Sequence, residues 1–111
     1  AIRQESDKTI KANLYFNLGV LYMQLEKFEE AEDNFFSAYD LNPEDIEALS
    51  GIAQTFENAE KWRRASKFYR ELIELDPENP DHYKGMSRVL IKQGDMDGAT
   101  RYFEKAKQLG G

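Results

Sequence analysis

Catalysis needs a nucleophile, an acid–base pair or a metal, and this sequence offers few candidates for any of them. His82 is the lone histidine, with no thiol, second histidine or serine motif around it. The absence of cysteine removes disulfides, thiolate nucleophiles and cysteine metal sites together, and it fits a reducing or an oxidising compartment equally. Asp95-Met96-Asp97-Gly98 begins like a calcium loop but lacks the remaining ligands and the terminal glutamate. Lys61-Trp62-Arg63-Arg64 gathers too few cations for a nucleic-acid footprint or a localisation signal. No glycine-rich phosphate loop, nucleophile elbow or metal-spaced His/Glu pair occurs. The sequence therefore reads as non-enzymatic, with no cofactor and no metal.

Recognition is better supplied than catalysis. Lys84, Arg88 and Lys92 recur every four residues, a spacing that puts three cations on one face of a helix. Residues 12–25 carry no charge at all, although charged residues make up 32% of the chain. The net charge of -6 argues against a general nucleic-acid or anionic-membrane binder, since both need a basic surface to meet phosphates. A protein partner fits this balance, and direct RNA binding is the weaker alternative. No apolar run reaches the roughly 18 residues that would span a bilayer, and residues 1–11 are too polar for a secretory signal. The chain is expected to be soluble, in a compartment the sequence does not assign.

These side chains must be positioned by something, and a shift of 34 residues shows what. At that offset Pro43 meets Pro77, and Ala31, Ala65 and Ala99 form a column. So do Phe35, Tyr69 and Phe103; Tyr15, Leu49 and Tyr83; Leu18, Ile52 and Met86; and Gly19, Ala53 and Ser87. Leu14, Leu18, Leu21 and Leu25 stand at three- and four-residue spacings, the stripe of an amphipathic helix. Asn42-Pro43, Asp76-Pro77 with Pro80, and Gly94-Asp95 break the periodic segments. Six short helices are predicted, at about 12–25, 28–41, 46–59, 62–75, 80–93 and 96–109. Such helices are marginal alone, so packing of small columns against aromatic ones must hold them. His82 falls in the column of Leu14 and Ala48, which makes it a packing residue, and Asp95 falls where a helix cap belongs. Residues 1–11 leave the register, with Gln4 and Asp7 at positions that elsewhere hold Ala and Leu. They are read as an extension running into the first helix, capped by Ser6 or Asp7 and lengthening the apolar stripe with Ile10.

The 34-residue period, with Tyr15, Leu18-Gly19, Tyr22, Ala31, Phe35 and Pro43 in the first copy, resembles the tetratricopeptide repeat family. The likeness covers residues 12–111 as three copies, 12–45, 46–79 and 80–111, the last departing at Ser87 and Leu90 and ending without a separate capping helix. It implies an all-α right-handed superhelix of three antiparallel helix hairpins, an α-solenoid whose first helices line a concave groove that binds a peptide or protein segment. The implied groove comprises Asn13, Phe16, Asn17, Val20, Met23 and Gln24 from the first copy. Ser50, Gln54, Glu57 and Asn58 come from the second, and Asp81, Lys84, Arg88, Ile91 and Lys92 from the third. Net charges of -7, -2 and +2 over the three copies suit a ligand with apolar or amide contacts near Phe16, Asn17 and Val20 and an acidic group near Lys84, Arg88 and Lys92.

Relatives of the carboxylate-clamp kind grip an acidic C-terminal tail with Lys, Asn and Arg, but the corresponding positions here hold Phe16, Val20, Gly51, Asp81 and Gly85, so that mode is not expected. A scaffold or adaptor is the leading expectation. The alternative is self-assembly through the uncapped last helix, where Tyr102, Met96 and Leu109 would seek a neighbour and yield a homo-oligomer.

Overall fold

The computed structural model describes residues 2–111, with side chains from residue 7 onward. Six helices follow one another: α1 (Ile2–Gln24), α2 (Phe28–Leu41), α3 (Ile46–Asn58), α4 (Trp62–Leu75), α5 (Pro80–Lys92) and α6 (Met96–Gln108). No strand occurs among the described residues. Each helix packs on its chain neighbours, and α1 also touches α3. Three hairpins thus stack into an elongated body of 48 × 28 × 18 Å.

Local chemistry sets the boundaries. Asp45 caps α3 by accepting hydrogen bonds from the backbone N–H groups of Glu47 at 3.0 Å and Ala48 at 3.3 Å. Asn79 does the same for α5 through the Asp81 N–H at 2.9 Å, with Pro80 in the first helical turn, where no backbone donor is needed. Asp95 accepts from the Gly98 N–H at 2.9 Å, the cap its register requires. Within each hairpin the first helix closes through a left-handed residue, Glu26, Glu60 or Gly94, with φ of 58°, 62° and 84°. The following N–H then reaches back to the carbonyls of Tyr22, Phe56 and Leu90.

The N-terminal segment differs from the expected cap. The helix runs from Ile2, so Asp7 lies inside it rather than at its start; the Ser6 side chain is outside those described.

The core runs along the stack. Phe35, Leu49, Ile52, Leu72, Met86 and Val89 are fully buried, each contributing about 1.5–3 kcal/mol of hydrophobic stabilisation. Small residues set the helix separation. A Cβ on Gly19 would stand 2.7 Å from the Phe35 ring, and one on Gly51 equally close, so the ring fills the space between α1 and α3. Tyr69 occupies the same place against Gly85. In the third hairpin Ser87 donates from its hydroxyl to the Ala99 carbonyl at 2.8 Å, a direct tie between α5 and α6.

One expectation is corrected. The leucine stripe of α1 is not its core face: Leu14, Leu18, Leu21 and Leu25 are exposed, while Ala12, Phe16, Gly19 and Met23 turn inward. The α6 residues expected to be sticky are mostly engaged. Tyr102 lies 6.3 Å from the Tyr83 ring and Leu109 is half-buried, leaving Met96 and Phe103 exposed.

Candidate functional site

A cavity of about 400 Å³ lies between α1, α3 and the start of α5. Phe16, Val20, Met23, Phe35 and Ile46 give it an apolar lining, and Gln24, Ser50, Gln54 and Asn79 add polar groups. Helical spacing explains the convergence. Phe16, Val20 and Met23 recur at three and four residues on α1, as do Glu47, Ser50, Gly51 and Gln54 on α3. Phe16 packs 5.6 Å from Phe35, tilted by 60°, so the lining is anchored in the core. Glu47, Asp81 and His82 complete the wall.

Not every expected groove residue joins this cavity. Phe16, Val20, Met23, Gln24, Ser50, Gln54 and Asp81 line it. Asn17 is exposed elsewhere on α1, and Asn13 lines a separate hollow with Lys8 and Asn42 beside the α2–α3 turn. Asn58 donates to the Met23 sulfur at 3.8 Å, bridging α1 and α3 further along. Lys84, Arg88, Ile91 and Lys92 lie on α5 outside the cavity. Phe35, Ile46, Glu47, Gly51, Asn79 and His82 were not expected in the groove from the sequence. Glu47 shares a column with Asn13 and Asp81, and that register was the signal available for it.

The basic face is already partly engaged. Arg88 donates from Nε to Glu57 Oε2 at 2.8 Å and from Nη2 to Oε1 at 3.1 Å, a two-pronged bond from α5 to α3. The Tyr69 hydroxyl donates to the same carboxylate at 2.6 Å. Burial pushes the Glu57 carboxyl up, but the bonds from Arg88 and Tyr69 and the guanidinium charge outweigh it and hold the group below its ordinary 4.5. Burial and then the neighbouring carboxylate push the Tyr69 phenol well up, so it stays protonated. Glu57 raises the Arg88 pKa further. Lys92 lies 6.0 Å above the Trp62 ring, while Lys84 is half-buried, its stem beside Gly111. Neither lysine forms an ion pair among the described residues.

His82 is buried, its Nε2 3.0 Å from Asp76 Oδ2. The pair ties the start of α5 to the end of α4, a structural use of the ring. Trp62 packs against the core. No helix is long and apolar enough to cross a membrane among the described residues.

Comparison with known proteins accounts for this architecture. The tetratricopeptide repeat family matches residues 12–45 and again residues 50–111. The chain belongs to the tetratricopeptide repeat family. It is 25% identical over 97 residues to anaphase-promoting complex subunit 3 of Schizosaccharomyces pombe, covering 87% of this chain and 15% of that protein. It is 32% identical over 108 residues to the human protein O-mannosyl-transferase TMTC3, covering 94% of this chain and 12% of that one. The tetratricopeptide chain thus spans a small part of these relatives.

Among solved structures a MamA crystal structure superposes with a TM-score of 0.86 at 22% identity, over 90% of this chain and 58% of that one. SycD, the type III secretion translocator chaperone of Yersinia enterocolitica, superposes at 0.85 with 19% identity, over 89% and 75%. These likenesses show the fold: an all-α tetratricopeptide solenoid.

Proposed function

We propose that the concave groove binds an extended segment of a partner protein, and that the chain acts as a scaffold or adaptor rather than a catalyst. The cavity between α1 and α3 carries this reading, because an apolar lining with amide and hydroxyl groups along it is the chemistry of a peptide side-chain pocket. An apolar ligand residue enters over Phe16, Val20 and Met23. Gln24, Ser50 and Gln54 hydrogen-bond the ligand backbone; Ser50 and Gln54 bond to one another at 3.2 Å in the free protein, so they are already oriented.

Glu47 and Asp81 repel a carboxylate at the near wall. An acidic ligand group is therefore accommodated further along α5, at Lys84 and Lys92, while Arg88 is held by Glu57. The net charge of -6 and this mixed groove favour protein over nucleic acid.

Selection from a random peptide library, followed by titration of the selected peptide, tests the proposal. Enriched peptides carry an apolar residue at a fixed spacing from an acidic one. Val20→Glu, at a partly exposed position, weakens binding by about tenfold or more, equivalent to about 1.4 kcal/mol, without lowering the melting temperature. Unchanged affinity in Val20→Glu, or enrichment without an apolar anchor, overturns it.

A further inference from the structure

From Ile10 onward, the α1 surface turned away from both the core and the groove carries an apolar stripe. Ile10, Leu14, Leu18, Leu21 and Leu25 are exposed there, from 40% at Leu18 to 58% at Ile10 and Leu14. The internal repeat shows what this face is built for. Leu14, Leu18 and Leu21 correspond to Ala48, Ile52 and Thr55 on α3 and to His82, Met86 and Val89 on α5, and all six of those are buried beneath the preceding hairpin. On α1 the equivalent residues are all leucine and are exposed, without a cover among the described residues.

A preceding repeat cannot supply that cover in the same register. Lys8 and Thr9 stand where Asn42-Pro43 and Asp76-Pro77 turn the chain between hairpins, and here the helix continues unbroken through both residues. Nor does α6 of another molecule fit by head-to-tail stacking. Seating an aromatic such as Phe35 or Tyr69 on the next hairpin requires Gly51 or Gly85, and α1 has Asn17 in that column. Where α2 and α4 offer Tyr39 and Ile73, α6 presents the exposed charged residue Lys107.

We propose that the stripe pairs with the same stripe of a second copy, antiparallel, about a two-fold axis between Leu18 and Leu21. Leu14, Leu18, Leu21 and Leu25 are spaced four, three and four apart, the seam of a helix pair, and a two-fold contact requires such a self-complementary surface. Charge selects the antiparallel sense. The exposed Lys8 and Lys11, which outnumber Asp7 at one end of the stripe, then face the partner's Glu26, Glu29 and Glu30, which outnumber Lys27 at the other, whereas a parallel pair sets lysine against lysine. The groove residues Phe16, Val20 and Met23 lie on another face of α1, so two open grooves result.

Sedimentation velocity of the 111-residue chain across a concentration series tests this. The wild type shows a concentration-dependent shift from one chain mass to two. Leu18→Glu with Leu21→Glu, both at exposed positions, abolishes the shift while circular dichroism and melting stay as in the wild-type monomer. Lys8→Glu with Lys11→Glu weakens the dimer, and adding Glu26→Lys with Glu29→Lys to the same chain restores it. A wild type that remains monomeric throughout, association that survives the two leucine substitutions, or a charge swap that fails to restore the dimer overturns the proposal. None of these outcomes depends on whether the groove binds peptide.

Discussion

The Phe35 ring lies against the backbone of Gly51, close enough that a Cβ on that glycine would stand 2.7 Å from ring carbon Cε1. A Cβ on Gly19 would also stand 2.7 Å from this ring, so the ring has glycines of two successive hairpins on it. The first two hairpins are spaced by this contact, and Tyr69 on Gly85 repeats it between the second and third.

Alanine at these glycines therefore destabilises, against its own helix propensity. Ala gains up to about 1 kcal/mol over Gly in a helix interior, whereas overpacking a rigid core costs about 1–3 kcal/mol. Phe35 is buried and cannot withdraw. Gly51→Ala is expected to lose about 1 kcal/mol. Gly85→Ala is expected to lose more, because Tyr69 is also held at its hydroxyl by Glu57. Urea denaturation midpoints at constant m-value check the order.

Glu60→Gly is expected to do the opposite. Glu60 adopts φ of 62° at the turn between α3 and α4. That left-handed conformation costs a residue with a Cβ about 1–2 kcal/mol and glycine nothing. Its column mate in the third hairpin is Gly94, where φ is 84°. A gain of about 1 kcal/mol is expected for Glu60→Gly, and Glu26→Gly, in a separate hairpin, should add to it. Thermal melts of the two single variants and the double variant decide this.

That turn also marks where the sequence stops being legible. Prolines precede α3 and α5 and Gly94 precedes α6, and the 34-residue register carries those boundaries to α2 and α4, so every helix start from Phe28 onward was readable to the residue. The left-handed turns were readable only at Gly94, because glutamate carries no sign of positive φ. The exposure of Leu14 and Leu18 was hidden for a different reason: a repeat pattern records which face is apolar, not whether a neighbour is there to cover it. Half of the cavity lining followed from the family resemblance, but the bond between Glu57 and Arg88 depends on how α3 and α5 sit together, which spacing along one helix does not contain. Gly51 and Gly85, 34 residues apart, were the unused signal of the aromatic contact.

The Glu57, Tyr69 and Arg88 cluster predicts a pH dependence of stability. Glu57 is lowered from 4.5 in the folded chain, so its contribution is complete above that value and is lost as pH falls through the folded value. Tyr69 is raised from 10.0, so its contribution is complete below 10.0 and is lost as pH rises beyond it. Arg88 is more than half exposed, which limits the pair to about 1 kcal/mol. The stability gap between wild type and Glu57→Gln should be present at pH 7 and close as pH falls below 4.5. Denaturation midpoints that keep the same gap at acid pH would count against the cluster.

Salt separates the basic residues of α5 by role. Lys84 and Lys92 have no ion-pair partner among the described residues, whereas Arg88 is bonded to Glu57 at 2.8 Å. If an acidic ligand group sits at this end of the groove, reversing both lysines weakens binding chiefly where the Debye length is long, about 30 Å at 0.01 M salt against about 3 Å at 1 M. Lys84→Glu with Lys92→Glu is expected to lower affinity about tenfold at the lower salt and little at the higher. Arg88→Gln leaves the half-buried Glu57 without its cation, so it should lower the melting temperature while changing affinity less than the lysine pair does. Titrations of one acidic peptide at the two salt concentrations, beside melts of the same variants, distinguish the roles. An equal loss of affinity at both salts would mean that the lysines shape the groove rather than attract the ligand.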